Sequence, residues 1–305
     1  MTLLTDQLRA LTEPALPGSG ETASRHIALM EIARRNLSLA RLAEAHFDAI
    51  AILAEAGRSP APGAVYGVWA SEIPGQDVVC EDYRLSGKKR FCTGAGLLDR
   101  ALITARSPDH RLIDVDLCKH ESSLLIDTSE WITPAFAETS TATVTFQSTL
   151  FTDEDIVGPP RWYLDRPGFW SGAIGPAACW AGGALGLVDW ARLQKRDDPH
   201  TLAHLGALIS NAWHLRACLV AAGDEIDKHP KDAIENHRLA LVVRHLVESA
   251  CAEILTRVGR GYGPYPLALD PGISRRFAEV ELYIRQSHAE RGLANLGSLI
   301  RSSAS

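Results

Sequence analysis

Over residues 21–57 the apolar positions fall three and four apart, with Leu39, Leu42, Ala43, Phe47, Ile50 and Ala54 forming one stripe. This spacing predicts a helix with Gly57 as its stop. The RSPAPGA run that follows (58–64) holds two prolines and a glycine, which prevent helix continuation and mark a first boundary. Over 66–158 the period shortens to two. Ser86-Gly87-Lys88, between EDYRL and KKRFC, predicts a hairpin turn, and ALITA, RLIDVDL and SSLLID are short β-rich runs. In TATVTFQSTLF, Ala142, Val144 and Phe146 alternate with Thr143, Thr145 and Gln147, giving one face to a core and the other to water or a ligand. Past GPPRWYLDRPG, helical periodicity returns over 170–195, 199–228, 233–258 and 271–299, the pattern of a helix bundle. The expected architecture is multi-domain α+β: an N-terminal helical domain (1–65), a small central β-barrel or sheet domain (66–160) and a C-terminal four-helix bundle (161–305).

Composition narrows the partners. A hydrophobic share of 46% supplies real cores, and 37 acidic against 31 basic residues, interspersed, create no basic field for nucleic acid. The six cysteines are scattered without a CxxC pair, which fits free thiols in a reducing, cytoplasmic setting. Residues 1–17 include Asp6, Arg9 and Glu13 and lack the apolar run of a signal peptide. The uncharged stretch 169–188 has the length of a membrane span, yet Gly172, Gly175, Pro176, Gly182, Gly183 and Gly186 favour a closely packed bundle helix, so no span is expected. His200 and His204 share a helix face, but no third ligand is evident and no metal is expected. GRGYG (259–263) follows no strand, so it is no dinucleotide fingerprint. Trp162, Trp170, Trp180, Trp190 and Trp213 gather around the second boundary, as junction packing would require.

Two segments carry a resemblance. YGVWASEIPG (66–75) resembles the strand and loop around the Thr-Glu-Pro segment of the acyl-CoA dehydrogenase superfamily, and LSGKKRFCTGAG (85–96) resembles its Gly-x-Lys-x-Trp-Ile-Thr-Asn segment. With the α-β-α order, the likeness covers nearly the whole chain from Glu31. It implies an acyl-CoA dehydrogenase-like fold that binds FAD against the β-domain, Phe91 standing at the aromatic place beside the ring and Thr93 at the threonine place. Ser71 would contact the pyrimidine side of the ring or the substrate. It further implies a homodimer or homotetramer and an electron-transfer partner. Read from the residues alone, Phe91 is an ordinary strand-core residue and Thr93 an ordinary strand or turn residue.

The chain departs from the family at its base. Removing an α-proton requires a carboxylate across the substrate from the flavin. The family's Tyr-Glu-Gly-Thr segment corresponds here to Tyr283 followed by Ile284 and Arg285, and the minority position on the first bundle helix holds Gly175 and Pro176. The nearest ionisable groups are His288 and Glu290, which are the catalytic candidates. His288 suits a flavin monooxygenase or oxidase, since imidazole moves protons near neutral pH. Alternatively Arg285, His288, Glu290 and Arg291 form a salt-bridged polar face. The FAD-anchoring segments are also altered: KRDDPHTLAHLG (195–206) lacks the family's Arg-x-x-Phe, and TRVGRGYGP (256–264) has Thr256 in place of Gln, leaving Arg257 and Arg260 to meet phosphate oxygens. The front domain is shorter than the family's. The expected activity is therefore an FAD-dependent oxidoreductase acting on a small or unusual acyl, thioester or carrier-bound substrate. The alternatives are a monooxygenase or oxidase on the same fold, or a non-catalytic scaffold subunit.

Overall fold

The computed structural model describes residues 3–73, 78–107 and 109–303; Pro74 and Gly75 of the first resembling segment lie outside them. Helices α1 (Leu3–Arg9), α2 (Thr22–Arg35) and α3 (Leu37–Glu55) precede eight strands: β1 (Tyr66–Trp69), β2 (Val79–Glu81), β3 (Arg84–Cys92), β4 (Arg100–Ser107), β5 (Asp109–Asp116), β6 (Leu124–Asp127), β7 (Ala142–Leu150) and β8 (Ile156–Val157). Helices return as α4 (Trp162–Asp165), α5 (Gly168–Gly172), α6 (Gly175–Arg192), α7 (Pro199–Lys228), α8 (Ala233–Tyr262), α9 (Tyr265–Leu269), α10 (Pro271–Tyr283) and α11 (Ala289–Ser303). The fold is α+β in the order helices, mixed sheet, helices, as the periodicities predict. Contacts group residues 1–13 with 42–169 in one compact unit, and 14–41 with 170–305 in another.

Three of the predicted helices are broken, the one over 170–195 between Gly172 and Gly175. The stripe over 21–57 is interrupted at Asn36, whose backbone is extended and whose Oδ1 accepts the Leu39 N–H at 3.0 Å, starting α3 as a new helix. Gly57 adopts φ +70 and ends α3 as expected. The segment predicted over 271–299 is interrupted by a 3-10 turn at Ile284–Ser287 and by His288 at φ 60.

In the first unit the sheet runs β6-β7-β3-β2-β4-β5-β8, with β1 parallel to β4. The C-terminal half of α3 covers it: Ala49, Ile52 and Leu53 pack with Tyr66, Leu102, Leu112 and Val157 in one core. The hairpin predicted at Ser86–Lys88 lies elsewhere. Strand β3 runs straight through Gly87, and the turn is made by Asp82 and Tyr83 at φ 46 and 58, a pair of left-handed residues that matches the twist of the flanking strands. His46 is buried against this sheet. Its Nδ1 accepts the Tyr66 N–H at 3.2 Å, and burial, aided by Arg9, lowers its pKa to about 4.

In the second unit the glycines of α6 explain its lack of charge. A Cβ on Gly182 would collide with the Met30 carbonyl oxygen and the Ala33 side chain of α2, so glycine is what lets the two helices approach. The apolar window of this segment is 78% buried inside the structure. Helix α2 is held at both ends. Asp227 of α7 accepts the N–H groups of Gly20 (3.1 Å) and Thr22 (2.8 Å) at its start, and Arg276 of α10 donates to the carbonyls of Ala33 (3.2 Å) and Arg35 (3.0 Å) at its end. Between them the His26 ring donates from Nδ1 to the Leu219 carbonyl at 3.0 Å, and burial lowers its pKa to about 4.

Two outcomes follow from this packing. Gly182→Ala should lower stability by about 1–3 kcal/mol in urea unfolding, whereas Gly206→Ala on α7, where an added Cβ meets nothing within 4 Å, should raise it by up to about 1 kcal/mol. The two histidines give a pH dependence of known sign. Their folded pKa values of about 4 lie below the ordinary 6.5, so the folded state binds fewer protons. Stability is full above 6.5 and falls as the pH drops from 6.5 towards 4, by roughly 2–3 kcal/mol per histidine. Urea midpoints at pH 7.5 and pH 5 (roughly one unit above and one and a half below that ordinary value) check this, and His46→Asn should reduce the difference.

Candidate functional site

The end of β3 departs from regular strand geometry. Along it, Leu85 and Lys89 face inward, so strict alternation would bury residue 91 as well. Pairing with β7 instead slips: Lys89 opposes Val144, but Cys92 opposes Ala142, so β3 carries one extra residue. The backbone takes up the slip with Phe91 at φ 59, a conformation that is costly for a bulky residue. Cys92 then becomes fully buried and the Phe91 side chain is left 55% exposed. Burial pushes the Cys92 thiol up to about 12, so it is a protonated packing residue.

Beyond the bulge the chain is cross-braced. The Thr93 N–H donates to the Phe91 carbonyl (2.9 Å), and the Trp69 indole N–H at the end of β1 donates to the Thr93 carbonyl (3.0 Å). The Thr93 hydroxyl meets that of Thr141 (3.3 Å), which meets that of Thr139 (3.1 Å), and the Gly94 N–H donates to the Thr139 carbonyl (2.8 Å). Ser71, two residues past Trp69, is exposed.

Phe91 borders a hollow of about 180 Å³ lined by Arg90, Phe91, Glu130, Trp131, Thr141, Ala142 and Thr143. Glu130 receives Arg90 Nη2 at 3.1 Å on one oxygen and the Thr143 hydroxyl at 2.6 Å on the other. The Arg90 Nε–H is buried and has no hydrogen-bond partner. An exposed aromatic ring beside a braced threonine segment suits the face and edge of a flat heterocycle such as a flavin ring. A separate cleft of about 150 Å³ holds the His110–Glu72 pair (3.0 Å) and none of the predicted residues.

The structure thus puts Phe91 and Thr93 together, with Ser71 following the strand that braces Thr93. Thr143 belongs to the polar side of the alternation in β7. Arg90, Glu130 and Trp131 were not among the predicted residues. Arg90 adjoins a predicted residue, whereas Glu130 and Trp131 lie in a stretch with no periodicity to signal them.

The other predicted residues belong to the second unit. Arg257 is held by Glu253 at 2.6 Å, and Arg260 is exposed one turn later on α8. His288 and Glu290 are exposed at the break between α10 and α11. The salt-bridged face expected there is not what forms: the break removes the helical spacing, and Arg285 pairs with Glu248 (3.4 Å) and Glu281 (3.8 Å). Partial burial, with Arg244 and Arg291 nearby, lowers the pKa of His288, which favours the neutral imidazole.

No family model matches the chain, and no curated protein matches it. Solved structures do. FMN-bound TdsC from Paenibacillus sp. A11-2, a dibenzothiophene monooxygenase, is 17% identical, with 98% of this chain and 87% of that one covered at a TM-score of 0.76. Methanesulfinate monooxygenase MsuC from Pseudomonas fluorescens is 17% identical over 92% of this chain and 83% of its own, at a TM-score of 0.77. A nitrososynthase from Micromonospora carbonacea var. africana is 17% identical over 92% and 82%, at a TM-score of 0.74. At such identities the likeness is one of fold, the acyl-CoA dehydrogenase-like class expected from the sequence.

Proposed function

We propose that this chain is a flavin-dependent oxidoreductase of the monooxygenase or oxidase kind, holding its flavin ring against the Phe91–Thr93 bulge. The observation that carries the reading is Phe91, strained at φ 59 and 55% exposed where a regular strand would bury it. A bound flavin would supply two-electron redox chemistry and reactivity towards oxygen. In this reading Phe91 covers the ring, the Thr93 segment contributes hydrogen bonds to its edge, and Ser71 flanks it. His288, whose neutral form is favoured, is the proton-transfer candidate, with Glu290 beside it in sequence.

Dehydrogenation of an acyl thioester, the activity the resemblance implies, is less well supported. The two positions where that family places its carboxylate hold Gly175–Pro176 and the buried Tyr283–Ile284. FMN is favoured over FAD because TdsC is an FMN-bound relative in fold and because Glu253 already engages Arg257, one of the two arginines meant for a pyrophosphate. A reducing compartment suits the six cysteines, which form no disulfide among the described residues.

The reading also includes a homo-oligomer formed through α7. The apolar window of that helix is only 22% buried, and Leu202, Ile209 and Trp213, at seven- and four-residue spacing, are exposed on it. A second copy of the chain is the occupant proposed for this face.

Titrating the purified protein with FMN and with FAD tests the cofactor. Quenching of flavin fluorescence is expected, stronger for FMN, with affinity about tenfold weaker in Phe91→Ala, and oxygen uptake when reduced flavin is supplied. A chain that quenches neither flavin ends the redox reading. For the assembly, sedimentation equilibrium should find an oligomer that Trp213→Glu converts to monomer; an unchanged mass would remove α7 from the interface.

A further inference from the structure

The cleft of about 150 Å³ around His110 and Glu72 is made by β4, β5, α4 and the residues that leave β1, and the β3 bulge takes no part in it. Thr104 of β4 is the buried member of its lining and receives the Lys89 ammonium at 2.9 Å, which sets a positive charge behind the cleft. The chain entering α4 is strapped to the same place: the Arg161 N–H donates to the His110 carbonyl at 2.8 Å, with Arg161 itself at φ 64. Tyr163 and Leu164 thereby supply apolar wall, while the Arg161 side chain stays largely exposed, 3.9 Å from Asp165. Glu72 Oε1 meets His110 Nδ1 at 3.0 Å. An ionised carboxylate only accepts, so Nδ1 carries the hydrogen and Nε2 of the neutral ring is an acceptor. With side chains 32% and 38% exposed the pair contributes little to stability, and its main effect is to orient the imidazole.

We propose that this cleft binds a small hydroxy carboxylate: Arg111 and Arg161 take the carboxylate, the His110 imidazole, oriented by Glu72, accepts a hydrogen bond from the hydroxyl, and Tyr163 and Leu164 cover the apolar body. Each part selects. Two arginines line the cleft against a single carboxylate, which His110 already engages, so an anion is favoured, and guanidinium forks suit a planar carboxylate. An acceptor nitrogen beside them disfavours a second anionic oxygen and rewards an O–H. The volume is well below the roughly 300–1,000 Å³ of sites for drug-sized ligands, which favours a compact organic acid. The site requires no flavin, so it stands apart from the redox reading.

The test is calorimetric titration of the full chain with mandelate, with phenylacetate as the probe lacking the hydroxyl and benzyl alcohol as the probe lacking the carboxylate. Phenylacetate should bind about tenfold more weakly than mandelate, and benzyl alcohol about a hundredfold. Arg111→Met should weaken both acids about tenfold, with Arg111→Lys in between, because it keeps the charge and loses the fork. His110→Phe should abolish the preference for mandelate over phenylacetate, and Glu72→Gln should reduce it. These side chains are at least partly exposed, so the melting temperature of the ligand-free chain should change little in each variant. A wild type that takes up no mandelate at about 10 mM, or whose mandelate binding is unchanged in Arg111→Met, overturns the site. Equal affinity for the two acids overturns the part given to His110.

Discussion

The pairing of β3 with β7 is the constraint on which the site depends. Two irregularities interrupt this ladder, one on each strand. On β7 the extra residue is Ser148 at φ 56, between the pairs Leu85–Thr149 and Ser86–Gln147; on β3 it is Phe91. Each slip inverts the in-and-out alternation beyond it. The first turns Thr149 inward after Phe146, and the second turns Cys92 inward and Phe91 outward. Between them the regular stretch keeps Lys89 inside, where its ammonium donates to the Thr104 hydroxyl at 2.9 Å. The site is therefore built by register: the same side chains on an unbroken ladder would place the aromatic ring in the core.

This explains which parts were legible in the sequence. Alternation in β7 read correctly as far as Phe146, and Thr143 does line the hollow. Gly87 drew the predicted turn because glycine is the usual marker of positive-φ backbone; it does adopt φ 121, but inside strand β3, while the turn itself is made by Asp82 and Tyr83 and the two slips by Phe91 and Ser148, which carry no such mark. Phe91 and Thr93 came from resemblance to a flavin-binding segment; periodicity alone assigned Phe91 to the core. The Arg90–Glu130 pair joins positions forty residues apart, and one partner lies in a segment without regular structure. No local pattern encodes such a contact.

The helical unit was legible to a different extent. Period and small residues together identified α6 as a closely packed helix, and the contacts of Gly182 and Gly183 bear that out. The breaks at Asn36 and at 284–288 were missed because apolar spacing continues across both, so the pattern that predicts a helix also conceals its interruption. At Asn36 the side chain starts the next helix, and at His288 the left-handed backbone ends the 3-10 turn. The second break moves His288 off a helix face, which is why the ion pairs expected from three- and four-residue spacing do not form.

Strain and unpaired polarity meet at neighbouring residues. A left-handed phenylalanine costs roughly 1–3 kcal/mol, and an unpaired buried N–H costs roughly as much again. Against a net folding stability of about 5–15 kcal/mol, that is a sizeable loss to concentrate at Arg90 and Phe91. Neither cost is forced by the core: a glycine would relax the bulge, and a shorter apolar residue would remove the orphan donor. A ligand that covers the exposed Phe91 ring and binds the folded state alone raises stability by mass action.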